Sequence, residues 1–298
     1  MSYDIYLYGM IILSHSFLLK GNYPAPDSYA EIAEKYVLSS GETGTCAAVL
    51  ASLGCRVKID GNHLGCDTRE PLLRFFGERG VDTSRLVLDP GFEGLKDYVI
   101  IDHNTRTCFG QFGQFFQDSV NRWSLPQRED ILHAKAVGID PFIEDGALIA
   151  ARCCHEAGIP YVTIDCRCDS ELASFAGVNA ISGEFLRGTY ADEDREALLR
   201  RYTEHTDGLV IFTGGGGEIL YARRGTPIRR MPAFRVEVVS TLGAGDTFKA
   251  GCVYALHKGM RDDDLVRFAA ATAGDAVTRF PIPLHPPTLE RVERLLNA

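Results

Sequence analysis

Membrane-length apolar runs are missing from this 298-residue chain: no stretch approaches the roughly 18 consecutive apolar residues that a bilayer-spanning helix needs. Met1-Ser2-Tyr3-Asp4 lacks the basic opening of a secretory signal, and the apolar stretch Ile5 to Leu13 is short and interrupted by Gly9. It reads as a buried strand. Basic charge is scarce, with 31 Lys and Arg against 40 Asp and Glu and a formal net charge of −9. That balance argues against nucleic acid as the main partner, because phosphate backbones demand a basic surface. The nine cysteines never adopt the paired C-x-x-C spacing of a zinc site; the tightest groupings are Cys153-Cys154 and Cys166-Arg167-Cys168. Reduced thiols in a cytoplasmic protein are expected. His63, His103, His133 and His155 are scattered without metal spacing. No repeat and no low-complexity segment is seen. No G-x-G-x-x-G follows the first strand, which counts against a dinucleotide-binding dehydrogenase.

What is present is an alternation. Strand-like apolar runs at 3–9, 56–60, 136–139, 161–164, 180–181 and 209–212 are separated by helix-length segments. Cys46, Val49, Leu50 and Leu53 fall on one face of a helix over 43–53, with Gly54 as its stop. Further helices are expected around 69–78, 143–155 and 192–205, and Asp262-Asp263-Asp264 reads as a solvated helix start. Such a pattern implies a parallel sheet with helices on both faces and ligands at the carboxyl ends of the strands. Two segments break the rhythm. Residues 14–38 carry Pro24 and Pro26, and 96–116 reads as a hairpin turning at Asp102-His103-Asn104. Both are expected to form a small β lid that excludes water. The Phe-rich run from Phe109 to Phe116 reads as core or as a contact between subunits.

The run Ser240-Thr241-Leu242-Gly243-Ala244-Gly245-Asp246-Thr247-Phe248, continuing into Lys249-Ala250-Gly251-Cys252, places two glycines at the mouth of a helix and a carboxylate in its first turn. Exposed N–H groups and the helix dipole favour an anion there. A carboxylate beside an anion hole makes chemical sense as the base for a hydroxyl that attacks phosphorus.

The chain resembles the ribokinase-like (phosphofructokinase-B type) carbohydrate kinase family. Residues 240–251 are similar to its D-T-x-G-A-G-D-x-F-x-x-G signature. Ser40-Gly41-Glu42-Thr43-Gly44-Thr45-Cys46-Ala47-Ala48, closing with Leu53-Gly54, resembles its first, glycine-rich signature. Gly65-Cys66-Asp67, Gly80-Val81-Asp82, the Thr213-Gly214-Gly215-Gly216-Gly217 loop and the closing Pro287-Thr288-Leu289-Glu290 fit as well, so the likeness spans the chain. It implies one domain over 1–298, folded as a three-layer α/β/α sandwich with a mostly parallel central sheet and a small β lid near 14–38 and 96–116. It implies Asp246 as catalytic base and Gly243, Ala244 and Gly245 as anion hole. Gly41, Glu42, Thr45, Ser14 and His15 are expected on the substrate side, and Thr213, Gly215, Thr241 and Gly245 at the nucleotide. The cofactors implied are ATP and Mg²⁺, with Glu184 as a water-mediated magnesium contact, and a monovalent cation such as K⁺ near the 240–246 loop. The partners implied are a small sugar-like substrate and a second copy of the chain through the lid, with neither nucleic acid nor membrane.

Three departures stand out. Ser14 or His15 occupies the place of the family's sugar-binding Asp, and a neutral or weakly basic group cannot accept two hydroxyls as a carboxylate does. Glu42 is a candidate replacement. Ser240 stands where the second signature begins with Asp. Ser182-Gly183-Glu184-Phe185 replaces a clean N-x-x-E element, and Asn179 does not restore the spacing. Arg106, on the hairpin, reads as a solvated lid residue. A nucleoside kinase of the same superfamily and a non-catalytic sugar- or nucleotide-binding relative remain open beside the sugar kinase.

Overall fold

The segment Ile5–Gly9 is buried at every position, as a strand covered on both faces must be. In the computed structural model, which describes residues 3–102, 105–117 and 120–298, it is β1 and lies between two parallel neighbours. The other strands are β2 (Ile12–Leu19), β3 (Ile32–Ser40), β4 (Val57–Gly61), β5 (Lys96–Ile101), β6 (Arg106–Gln111), β7 (Ala136–Ile139), β8 (Tyr161–Ile164), β9 (Val178–Ile181), β10 (Leu209–Phe212), β11 (Glu218–Ala222) and β12 (Arg229–Pro232). The helices are α1 (Glu42–Ser52), α2 (Arg69–Gly77), α3 (Gly113–Gln117), α4 (Arg128–His133), α5 (Glu144–Ala157), α6 (Glu171–Ser174), α7 (Gly183–Thr189), α8 (Arg195–His205), α9 (Ala244–His257), α10 (Asp262–Ala276) and α11 (Leu289–Leu296).

Among the described residues the central sheet runs β12-β11-β10-β9-β8-β7-β1-β4, parallel from β4 to β10 and antiparallel at β11 and β12. Strand alternation divides its side chains between two layers. Ile5 and Leu7 of β1 pack with α1, α9 and α10, whereas Tyr6 and Tyr8 face the layer of α4 and α5. Farther along, Val210 and Phe212 join α8. This is the expected three-layer α/β/α sandwich. The antiparallel end strands went unseen in the sequence, and with them the place of Thr213-Gly217, which is the tip of the β10–β11 hairpin.

A second sheet of four strands, ordered β3-β2-β5-β6, forms the lid. Its limits are wider than 14–38, since β2 begins at Ile12 and β3 ends at Ser40. The expected hairpin is β5 and β6, pairing Lys96 with Gln111 through Ile101 with Arg106. His103 and Asn104, expected at its turn, lie outside the described residues. The aromatic run divides: Phe109 and Phe116 are exposed, but Phe115 is core, 5.3 Å from Trp123 by ring centroid. All nine cysteines are free. No described helix is long and apolar enough to cross a membrane.

Candidate active site

The strands of the central sheet end at one rim, and polar groups gather there. Asp140 follows β7, Asp165 follows β8, Ser182 and Glu184 follow β9, and Thr213 follows β10. Helix α9 starts at this rim with Gly243 as its N-cap in the left-handed region (φ 80°) and Asp246 in its first turn. A cavity of about 1080 Å³ opens here, lined by Glu42, Arg106, Asp165, Glu184, the 213–216 loop and 241–246. It continues between apolar walls that include Ile219, Phe234, Val236, Ala270 and Val277.

Glycine is required at Gly41, the N-cap of α1. Its φ is 78°, and a Cβ there would lie 2.7 Å from the carbonyl oxygen of Met10. The turn projects Glu42 into the cavity and buries Thr45, whose methyl lies 3.6 Å from where a Cβ on Gly243 would stand. Tertiary packing thus brings the two glycine-rich signatures together.

Burial pushes the Asp246 carboxyl up to about 6; the charge of Lys249 opposes this, and Asp165 and Asp140 add to it. Burial and the nearby Asp246 and Asp140 also push Glu42 up. Asp140 is wholly buried and accepts the N–H of Met10 at 2.7 Å and the hydroxyl of Thr43 at 2.9 Å. Asp165 accepts both the N–H (2.6 Å) and the hydroxyl (2.9 Å) of Ser182, which in turn caps α7. Of the three expected anion-hole donors, the N–H of Ala244 is turned back onto the carbonyl of Thr241 at 3.2 Å. Gly243 and Gly245 carry the expectation forward.

The lid contributes more than the sequence suggested. Arg106 starts β6 and crosses the cleft: its guanidinium donates to the Thr241 hydroxyl at 3.2 Å and lies 3.7 Å from the Glu184 carboxylate. It lines the cavity and is no mere solvated lid residue. In the register, Ser14 is directly opposite Asp97, so both side chains share the inner face of the lid. The Ser40 hydroxyl donates to Asp97 at 3.4 Å, while the other Asp97 oxygen is buried with no hydrogen-bond partner among the described residues. Burial raises the Asp97 carboxyl, and Ser14 and Ser40 hold it down.

His15 is not brought to the site. One residue along the strand from Ser14, it points to the opposite face and stacks on Tyr98 with centroids 5.3 Å apart. Glu42, Glu184, Thr213, Gly215, Thr241 and Gly243 to Asp246 do line the cavity; Ser14, Gly41 and Thr45 are not among its lining residues. Asp140, Asp165, Asp97, Arg106 and Lys249 were missed. The first two carried a usable signal, an acid placed directly after a buried strand. Asp97 carried none, because its pairing with Ser14 is nonlocal.

A family model described as the pfkB family carbohydrate kinase matches residues 34–281. The chain belongs to the pfkB family of carbohydrate kinases. Among curated relatives, ribokinase of Haemophilus influenzae is 31% identical over 121 residues, 39% of each chain. The 5-dehydro-2-deoxygluconokinase of Bacillus subtilis is 27% identical over 105 residues, covering 35% of this chain and 32% of that one. The bifunctional protein HldE of Geobacter sulfurreducens is 27% identical over 276 residues, 85% of this chain and 54% of that one. The matched segments therefore span about half or less of these relatives. Among solved structures, Arabidopsis thaliana ribokinase complexed with ribose and ATP superposes with a TM-score of 0.83 at 19% identity, covering both chains fully. The nucleoside kinase of Methanocaldococcus jannaschii gives 0.78 at 17%, over 100% of this chain and 98% of that one. At such identities these neighbours show the ribokinase-like fold alone.

Proposed function

We propose that this pfkB-family protein transfers the γ-phosphoryl group of ATP to a hydroxyl of a small sugar or sugar-like substrate. The observation that carries the reading is Asp246, a carboxylate pushed up to about 6 at the opening turn of a 14-residue helix, in the wall of a large cleft. A base so placed takes the proton of the attacking hydroxyl, and the helix N-terminus stabilises the charge on the transferred group. The apolar end, with Phe234, Val236 and Val277, suits the nucleotide, and the lid side with Glu42 suits a polyol. Arg106 supplies a cation between them.

The acids fit a magnesium ion carried mainly by nucleotide phosphates. Among the described residues no three His, Cys, Asp or Glu side chains form a metal cage, and Mg²⁺ typically keeps waters and phosphate ligands. Exposed Glu184 would hold it through water; the ion would neutralise phosphate charge. For K⁺ near the 240–246 loop the fit is poor. The Val277 carbonyl already accepts the N–H groups of Val239 and Ser240, and the Ser240 hydroxyl accepts that of Leu242. No step is derived through it. Val37, Tyr98 and Phe109, exposed on the outer face of the lid, form the surface through which a second copy would dock, to be checked by sedimentation.

The test is phosphorylation of ketoses, pentoses and nucleosides with ATP–Mg²⁺ by the native chain and by Asp246→Asn. With a true substrate, Asp246→Asn is expected to lose roughly 10²–10⁴-fold in kcat and to bind ATP normally by calorimetry. Because Asp246 is raised to about 6, its basic form is lost as pH falls through that value, so native kcat/KM should drop below about pH 6 and plateau above. Near-native turnover by Asp246→Asn would overturn the assignment, and turnover of nucleosides alone would overturn the sugar reading.

A further inference from the structure

Lys249 is wholly buried, yet among the described residues its Nζ has no hydrogen-bond partner. A cavity-filling role would be met by Met or Leu, without the cost of taking an ammonium out of water. A buried polar group without a partner calls for a physical reason. Its place in the fold supplies one. Lys249 lies three residues after Asp246 on α9, on the same side of the helix. Its stem crosses β7 at Gly138, where a Cβ would come within 3.8 Å of Lys249 Cε and 2.6 Å of Leu7. This sets its charge beneath the carboxyl ends of β7 and β8, from which Asp140 and Asp165 project.

The cleft around Asp246 is otherwise strongly acidic. Asp140 faces it from the end of β7, Asp165 from the end of β8 and Glu42 from α1; Arg106 reaches over from the lid, and the Cys46 thiol lies behind on α1. Asp140 lies so close to the backbone that a Cβ on Gly9 would stand 1.8 Å from its carboxylate. The charge of Lys249 acts on Asp246, Asp140, Glu42 and Asp165 alike, favouring the ionised form of each. Arg106 belongs to the lid and is exposed, so its charge is screened. Lys249 is the fixed cation of the group.

We propose that Lys249 is a positioning residue whose buried ammonium is the counter-charge that keeps Asp246 ionised beside Asp140. The inference rests on Asp246 being the base of the proposed transfer, but its test does not require turnover.

The side-chain carboxyl carbon of Asp246, assigned by its disappearance in Asp246→Asn, is titrated by NMR in the ligand-free native chain and in Lys249→Met. The midpoint is expected to rise by a pH unit or more in Lys249→Met and to return toward the native value in Lys249→Met with Asp140→Asn, where one negative charge is removed. With a substrate in hand, the acid limb of kcat/KM should move by the same interval, a tenfold loss per unit well below the midpoint. An unchanged midpoint in Lys249→Met overturns the proposal. Should Lys249→Met fail to fold, Lys249→Gln carries the same test. A native chain that phosphorylates neither sugars nor nucleosides overturns the kinase reading alone, whereas an unmoved Asp246 titration overturns the role of Lys249 alone.

Discussion

The end of the cleft lined by the 213–216 loop and by Phe234, Val236 and Val277 is made of main chain and apolar surface, while the end beneath the lid is made of charged side chains. At the first end shape does the work, and many side chains of similar size would serve. At the second, Glu42, Asp140, Asp165 and Asp246 repel one another in a partly dry space, and Lys249 and Arg106 offset them from two different elements. Low dielectric amplifies both the repulsion and its relief. The contrast teaches that the charged end is tuned as a set, so a single charge change there should propagate through its neighbours, whereas changes at the backbone end should remain local.

Three substitutions probe this contrast, in descending order of expected effect. Arg106→Ala removes the exposed cation of the charged end. We expect kcat to fall roughly 10²-fold, the scale of losing one charge-stabilising donor, with little change in ATP affinity; a fall in ATP affinity without loss of kcat would assign Arg106 to the nucleotide instead. Gly41→Ala tests the turn that presents Glu42. With φ at 78° and a Cβ 2.7 Å from the Met10 carbonyl, it should cost about 1–3 kcal/mol in denaturant unfolding and raise the KM for the sugar. Unchanged stability would mean that the turn relaxes freely. Gly215→Ala, at the tip of the β10–β11 hairpin, meets no atom within 4 Å and faces only the cost of its φ of 63°. About 1–2 kcal/mol of local strain is expected, with kcat and the pH profile unmoved; a shifted pH profile would break the distinction between the two ends.

Much of the fold could be read without coordinates because buried parallel strands announce themselves. The runs 136–139, 161–164 and 209–212 coincide with β7, β8 and β10. β12, largely exposed, does not announce itself, and β11, though buried at four of its five positions, also escaped notice, so the glycine loop was seen but its place as a hairpin tip was not. In the lid, alternation made either Ser14 or His15 the inward residue, and sequence alone had no means of choosing. The register with β5 chose Ser14, set Asp97 opposite it and sent His15 to the outer face.

The amino-acid sequence by itself determined the layered architecture and the glycine-rich turns, because periodicity and backbone freedom are local properties of the chain. It also singled out Asp246, since a carboxylate behind Gly-Ala-Gly at a helix start is a local pattern too. Only the tertiary structure decided which charges surround that carboxylate. Asp140, Asp165, Glu42 and Arg106 come from β7, β8, α1 and β6 or their ends, and their meeting with Asp246 and Lys249 on α9 depends on packing between distant segments. Electrostatic interactions depend on distance and burial, and neither is written in residue order.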